Sequence, residues 1–240
     1  RKLTSSIAEI HFSPTIIAKK NLELEGVKTK NIIVTGNTVI DALLFARNKK
    51  INSDLIKKKL DKKFSFLNDI KKIILVTGHR RENFGKDIIN IFESLKKIAL
   101  SNQNIAIVYP VHLNPNVLIP AKKILGKISN IFLIQPLDYL SFVYLMNRSY
   151  LIISDSGGVQ EEAPSLSIPV LVTRKNTERP EALKAGTARL VGTDTKNIIK
   201  NVEELLKNKS TYKKMRKSHN PYGKGIAAKK IVNYLKSKFF

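Results

Sequence analysis

A chain of 240 residues suffices for one large domain or two modest ones and can bury a sizeable core without staples. Cysteine is absent, which excludes a disulfide framework and any cysteine metal site and fits a reducing cytoplasm, and no apolar run reaches membrane-spanning length. Lys and Arg number 43 against 19 Asp and Glu, a formal charge of +24; the lysines are spread over helix surfaces (Lys57 to Lys59, Lys96 and Lys97, Lys213 and Lys214) instead of forming one basic stripe with interleaved aromatics, which argues against nucleic acid as the partner.

In chain order, the opening RKLTSSIAEIHFSP carries charge where a signal peptide would have its apolar core. Ala8 to Phe12 reads as a strand end, and Ser13-Pro14-Thr15 starts a helix to about Glu25 that Gly26 closes. Asn31 to Thr35 is the next strand. Gly36-Asn37-Thr38 then turns into an amphipathic helix, Val39 to about Lys49, with Ile40, Leu43 and Leu44 near one face. Ile51 to Lys63 is polar enough for a linker between domains, while the spacing of Leu55, Ile56 and Leu60 equally suits a helix.

From Lys72 the chain alternates regularly. Strands are predicted at Ile73 to Thr77, Ile105 to Tyr109, Ile131 to Ile134, Leu151 to Ile153, Pro169 to Thr173 and Arg189 to Val191; helices at Asp87 to Leu100, Val117 to Leu125, Leu137 to Asn147, Val159 to Leu166 and Asn197 to Leu206. Short apolar strands between amphipathic helices form βαβ units, so the fold class is α/β with a Rossmann-like parallel sheet covered on both faces. Ile226 to Tyr234 carries Ile and Val at helical spacing.

Ligands of such a sheet sit at the carboxyl ends of its strands. Four polar loops fall there: Gly78-His79-Arg80-Arg81-Glu82, Pro110-Val111-His112, Gln135-Pro136 and Asp155-Ser156-Gly157-Gly158. Gly157 and Gly158 either serve a tight strand-to-helix turn or let backbone N–H groups approach a phosphate without an intervening Cβ. His79 is placed to donate to a phosphate oxygen, whereas at least one of Arg80 and Arg81 is expected to be mainly structural, pairing with Glu82. Glu161 and Glu162 complement the dipole of the following helix, and Glu162 is also placed to accept ribose hydroxyls. Arg179 is a candidate second clamp for phosphate or carboxylate. His11 and His219 read as structural or surface residues. No cluster has metal-ligand spacing, and both the dinucleotide glycine pattern and the P-loop pattern are missing, so neither a metal nor a cofactor is predicted.

The stretches ILVTGHRRENFG, YPVHLNPNV, SDSGGVQEEAPSL, PVLVTRKNTERPEA, AGTARLVGT and HNPYGKG together resemble the motifs of the non-hydrolysing UDP-N-acetylglucosamine 2-epimerases, in order and spacing from near Arg1 to about Leu235. The resemblance implies a GT-B-like fold, two Rossmann-like domains facing across a cleft, and interconversion of UDP-N-acetylglucosamine and UDP-N-acetylmannosamine by elimination and re-addition of UDP. It implies a catalytic His79 near the diphosphate, a phosphate turn at Ser156, Gly157 and Gly158, a ribose carboxylate at Glu162, a diphosphate arginine at Arg179 and a uracil-side contact at Phe142. Leu137 stands where some members have glutamine, so a uracil contact there would use the backbone. Arg80 and His112 fall near an allosteric site that some bacterial members have. A UDP-N-acetylhexosamine substrate, no cofactor, a homodimer and a cytoplasmic location complete the set.

Under the same resemblance, residues 1–46 are the remnant of an amino-terminal Rossmann-like domain, 47–220 the complete UDP-binding domain and 221–240 a helix returning towards the first. The acid and base carboxylates of the family would then lie outside this chain, making it a truncated form that keeps the UDP half-site; residues 1–46 and the last helix are expected to expose apolar surface. Two other readings compete: a non-catalytic UDP-sugar-binding or interaction module, and a GT-B glycosyltransferase.

Overall fold

The computed structural model describes residues 2–217 and 219–239. The chain opens with helix α1 (Lys2–Ile7), strand β1 (His11–Ser13), helix α2 (Ile16–Leu24), strand β2 (Ile32–Val34) and helix α3 (Thr38–Phe45). β1 and β2 pair in parallel. Thr15 caps α2 by accepting from the Ala18 N–H, and Asn37 caps α3 by accepting from the Val39 N–H. Each cap satisfies a donor that the helix itself cannot and fixes where the chain turns after leaving its strand.

α3 continues through one wider, π-type turn at Ala46–Ile51, and helix α4 (Asp54–Lys63) follows. Of the two readings of Ile51 to Lys63, the helical one is what forms from Asp54 on, held by burial of Leu60.

Six parallel strands form the main sheet: β3 (Lys72–Thr77), β4 (Ile105–Pro110), β5 (Ile131–Ile134), β6 (Leu151–Ser154), β7 (Val170–Val172) and β8 (Ala188–Leu190), in the order β5-β4-β3-β6-β7-β8. The connecting helices are α5 (Lys86–Ser101), α6 (Pro115–Leu125), α7 (Tyr139–Arg148), α8 (Gly157–Glu162) and α9 (Pro180–Lys184); α10 (Thr195–Lys207), α11 (Lys209–Lys217) and α12 (Ala227–Phe239) complete the chain. Strand side chains alternate between two hydrophobic clusters, as a pleat buried on both sides requires. Ile73, Leu75, Val108, Ile152 and Val170 face the layer of α7 and α8, whereas Ile74, Val76, Ile107, Ile153 and Leu171 face α5, α6 and α10. Ile40 and Leu43 of α3, fully buried, join the first of these clusters.

The winding sets the position of the site. From β3 the chain moves outward through β4 and β5, then returns to place β6 on the other side of β3. The winding reverses between β3 and β6, the place at the carboxyl edge where open α/β sheets take their ligands. The ends of β1 and β2 face this edge: Thr15 Oγ1 donates to Glu181 at 2.6 Å and Asn37 Nδ2 to Glu161 at 2.9 Å. Two parallel sheets meeting at their carboxyl edges constitute the GT-B-like α/β architecture that the resemblance implies.

α12 lies back against the first strands. Tyr234 meets Phe12 edge-on at 5.8 Å, and the Asp41 carboxylate accepts from the Ala227 and Ala228 N–H groups at the start of the helix. Apolar side chains stay open to solvent on α1 and α2, with Leu3, Ile7 and Leu24 all more than 80% exposed.

Candidate functional site

Thr77 and Ser154 end the two central strands side by side, their hydroxyls 2.6 Å apart. Asp155 comes next and is almost fully buried. Its Oδ2 accepts from the backbone N–H groups of His79 (2.9 Å) and Arg80 (2.8 Å) and from Asn83 Nδ2 (3.3 Å). From β4, Tyr109 donates its hydroxyl hydrogen to the Gly78 carbonyl at 2.9 Å. Burial and the nearby Asp155 charge both raise the Tyr109 pKa, so the phenol stays a donor. The β3 loop is thereby tied to both neighbouring strands.

His79, Arg80 and His112 come together at the rim. The two imidazoles stack with centroids 5.8 Å apart, and His112 Nδ1 accepts from the Asn114 N–H. Arg80 Nε is buried without a hydrogen-bond partner. Neither Arg80 nor Arg81 is the partner of Glu82. That carboxylate binds Arg174, which also grips Glu178 through both terminal nitrogens. Arg174 is buried, and its two carboxylate partners push its pKa up while its hydrogen bonds pull Glu178 down to about 2. The sequence reading missed this latch between the β3 and β7 loops because its partners are 92 residues apart.

The glycine pair serves differently from the expected sharp turn. Ser156 is extended and α8 starts at Gly157; neither Gly157 nor Gly158 has a positive φ. What the missing side chains leave is space. A Cβ at Gly157 would face the Arg179 guanidinium at 3.6 Å, and one at Gly158 would meet only Ser156 Oγ at 3.8 Å. A ligand can therefore approach the first turn of α8 directly, with Arg179 over one side.

Arg179 is fixed there by the helix it overhangs. Its Nε donates to Glu161 at 2.5 Å, its backbone N–H to Thr177 Oγ1, and the Thr177 hydroxyl to Gln160. Glu161, read from the sequence as a dipole complement, is instead a junction: it also accepts from Asn37, while its backbone carbonyl accepts from Asn220. Glu162 accepts from the Tyr139 hydroxyl at 2.7 Å. Burial, and secondarily the Glu161 charge, raise the Glu162 pKa, and the Tyr139 hydrogen bond offsets part of that. Phe142 lies one turn beyond Tyr139 on α7, partly buried against the core. Asp155, Glu161, Tyr139 and Arg174 are thus organising residues that were not predicted; only Asp155 had a local signal, its place directly before the glycine turn.

The predicted residues form two groups, His79 with Arg80 and His112, and Gly157 and Gly158 with Glu162 and Arg179, joined through consecutive residues 155–158. Such a crevice presents helix N–H groups, an arginine and an imidazole to an anion, with a carboxylate one turn farther along for hydroxyl groups. Among the described residues no group of three or more His, Asp or Glu side chains could hold a metal ion.

The sequence model of the family described as UDP-N-acetylglucosamine 2-epimerase matches residues 1–236. The UDP-N-acetylglucosamine 2-epimerase of Salmonella typhimurium is 52% identical over 237 residues, which are 99% of this chain and 63% of that protein. That of Campylobacter jejuni is 52% identical over 98% of this chain and 62% of its own length. The chain thus spans less than two thirds of the curated relatives it matches. The crystal structure of UDP-GlcNAc 2-epimerase from Neisseria meningitidis bound to UDP-GlcNAc superposes with a TM-score of 0.95 at 48% identity, covering 99% of this chain and 64% of that one. A Methanocaldococcus jannaschii UDP-GlcNAc 2-epimerase, in complex with UDP-GlcNAc and UDP, gives 0.78 at 35% identity, over 99% of this chain and 63% of that one.

Proposed function

The chain belongs to the UDP-N-acetylglucosamine 2-epimerase family, and we propose that its carboxyl-edge crevice binds UDP-N-acetylhexosamine and serves the interconversion of UDP-N-acetylglucosamine and UDP-N-acetylmannosamine. The observation that carries the proposal is Arg179 held by Glu161 over the open first turn of α8, beside the rim that bears His79.

In this reading the diphosphate lies across Ser156, Gly157 and Gly158, clamped by Arg179. Glu162, oriented by Tyr139, accepts the ribose hydroxyls, and Phe142 meets the uracil side. The reaction is elimination and re-addition: the C1–O bond to UDP breaks as the C2 proton is removed, and UDP then returns as a proton is delivered to the other face of C2. His79 and Arg179 contribute by stabilising the charge that gathers on departing UDP. Proton transfer at C2 requires an acid-base group on each face, and we assign no residue of this chain to that role.

Residues 47–220 act in this proposal as the UDP-binding unit, with 1–46 and 221–240 belonging to the facing one. Arg80 and His112 bound a second, allosteric nucleotide-sugar position, and the assembly is a cytoplasmic homodimer. The test is to incubate the chain with UDP-N-acetylmannosamine and follow the sugar stereochemistry by NMR, with UDP binding measured alongside. Bound UDP supports the site, and interconversion assigns the full reaction to this chain; absence of UDP binding overturns the proposal.

A further inference from the structure

Asp155 is the least exposed carboxylate near the crevice, with its side chain 2% exposed. One oxygen, Oδ2, is saturated by two backbone N–H groups and the Asn83 amide. The other, Oδ1, is buried and accepts no hydrogen bond from the protein. Leaving a carboxylate oxygen dry and unpaired is costly, so such a group calls for a partner or a task. The His79 ring is a donor close by, with Nδ1 at 3.6 Å, too far for a hydrogen bond but within reach of a small rotation. The imidazole is otherwise 44% exposed.

We infer that Asp155 is a positioning residue for His79: Oδ2 holds the backbone of the His79-Arg80 turn, Oδ1 fixes the imidazole as its Nδ1–H tautomer, and Nε2 is thereby the nitrogen presented to the bound diphosphate. This rests on the nucleotide site proposed above and deepens it. Without the carboxylate, a neutral histidine side chain carries its proton on either nitrogen. With it, Nδ1–H is committed, and the exchangeable proton belongs to Nε2, which faces the departing phosphate oxygen. Because Asp155 directly follows β6 and His79 lies on the loop after β3, the contact also registers the imidazole against the residues that open α8.

The test reads the tautomer directly. Two-bond ¹H–¹⁵N spectra of the labelled chain are recorded at about pH 8, above the ordinary histidine value of about 6.5, and the His79 signals are assigned by their loss in His79→Gln. The wild-type ring is expected as Nδ1–H. Asp155→Asn keeps the shape and one acceptor for the backbone N–H groups, and in it the ring is expected to change to Nε2–H. Calorimetric titration with UDP should show Asp155→Asn and His79→Gln each weakening binding by about tenfold, as loss of one charge-assisted hydrogen bond does, with the double variant no weaker than His79→Gln alone. A wild-type Nε2–H ring, an unchanged tautomer in Asp155→Asn, or additive losses in the double variant would overturn the inference. If UDP does not bind while the wild-type ring is Nδ1–H, the nucleotide reading fails and the positioning of the ring stands. Should Asp155→Asn not fold, the wild-type tautomer alone decides.

Discussion

At Glu162 burial and the proposed ribose contact pull in opposite directions. The folded pKa is raised above the ordinary glutamate value of 4.5, first by burial. Ionising the folded protein at this position therefore costs stability, a penalty absent below the unfolded value and imposed as pH rises through the folded one. Ribose hydroxyls need the ionised form as acceptor. UDP affinity should accordingly fall on acidification beginning above pH 4.5, and Glu162→Gln should bind more weakly and flatten that part of the profile; calorimetric titrations across pH compare the two. Arg179→Ala should weaken UDP binding by roughly tenfold or more, since it removes a charge-assisted donor from an anion site. Arg179→Lys should not restore it, because a point charge cannot hold Glu161 and reach over Gly157 at once. These residues could be found in the sequence because they follow strands or glycines. Arg174, Glu161 and Tyr139 act through partners on other elements, and no local pattern distinguishes them from an ordinary surface arginine, a helix-start glutamate or an amphipathic tyrosine.

Helices α3 and α12 show how elements are held by chemistry that periodicity does not record. Asp41 accepts from two N–H groups that open α12, so Asp41→Ala should cost about 1 kcal/mol and speed hydrogen exchange in the first turn of that helix. Leu43 is fully buried beneath the main sheet, and Leu43→Ala should cost about 2–5 kcal/mol in denaturant unfolding. The six strands of the main sheet were legible, because each is a short apolar run buried on both faces and flanked by amphipathic helices. α1, α9 and α11 were not. α1 buries no residue, α9 has only five, and α11 offers just Tyr212 and Met215 to the core. Tyr212 is in addition fixed by a partner far away in sequence, stacking on Tyr150 at 3.9 Å.

Across the whole molecule, the proposed site lies where the short β1-β2 pair meets the carboxyl edge of the six-stranded sheet. Leu3, Ile7 and Leu24 project from α1 and α2 into solvent, which favours self-association through this end; sedimentation should show oligomers that Leu24→Lys with Ile7→Lys reduces. The central claim is that this carboxyl edge recognises UDP, and the most direct measurement is a titration of the ¹⁵N-labelled chain with UDP, following backbone amides. The account predicts saturable shifts concentrated at residues 78–80, 155–158, 162 and 179, lost in Arg179→Ala. Absence of saturable shifts, or shifts centred on the lysine-bearing outer helices with this edge unmoved, would contradict it.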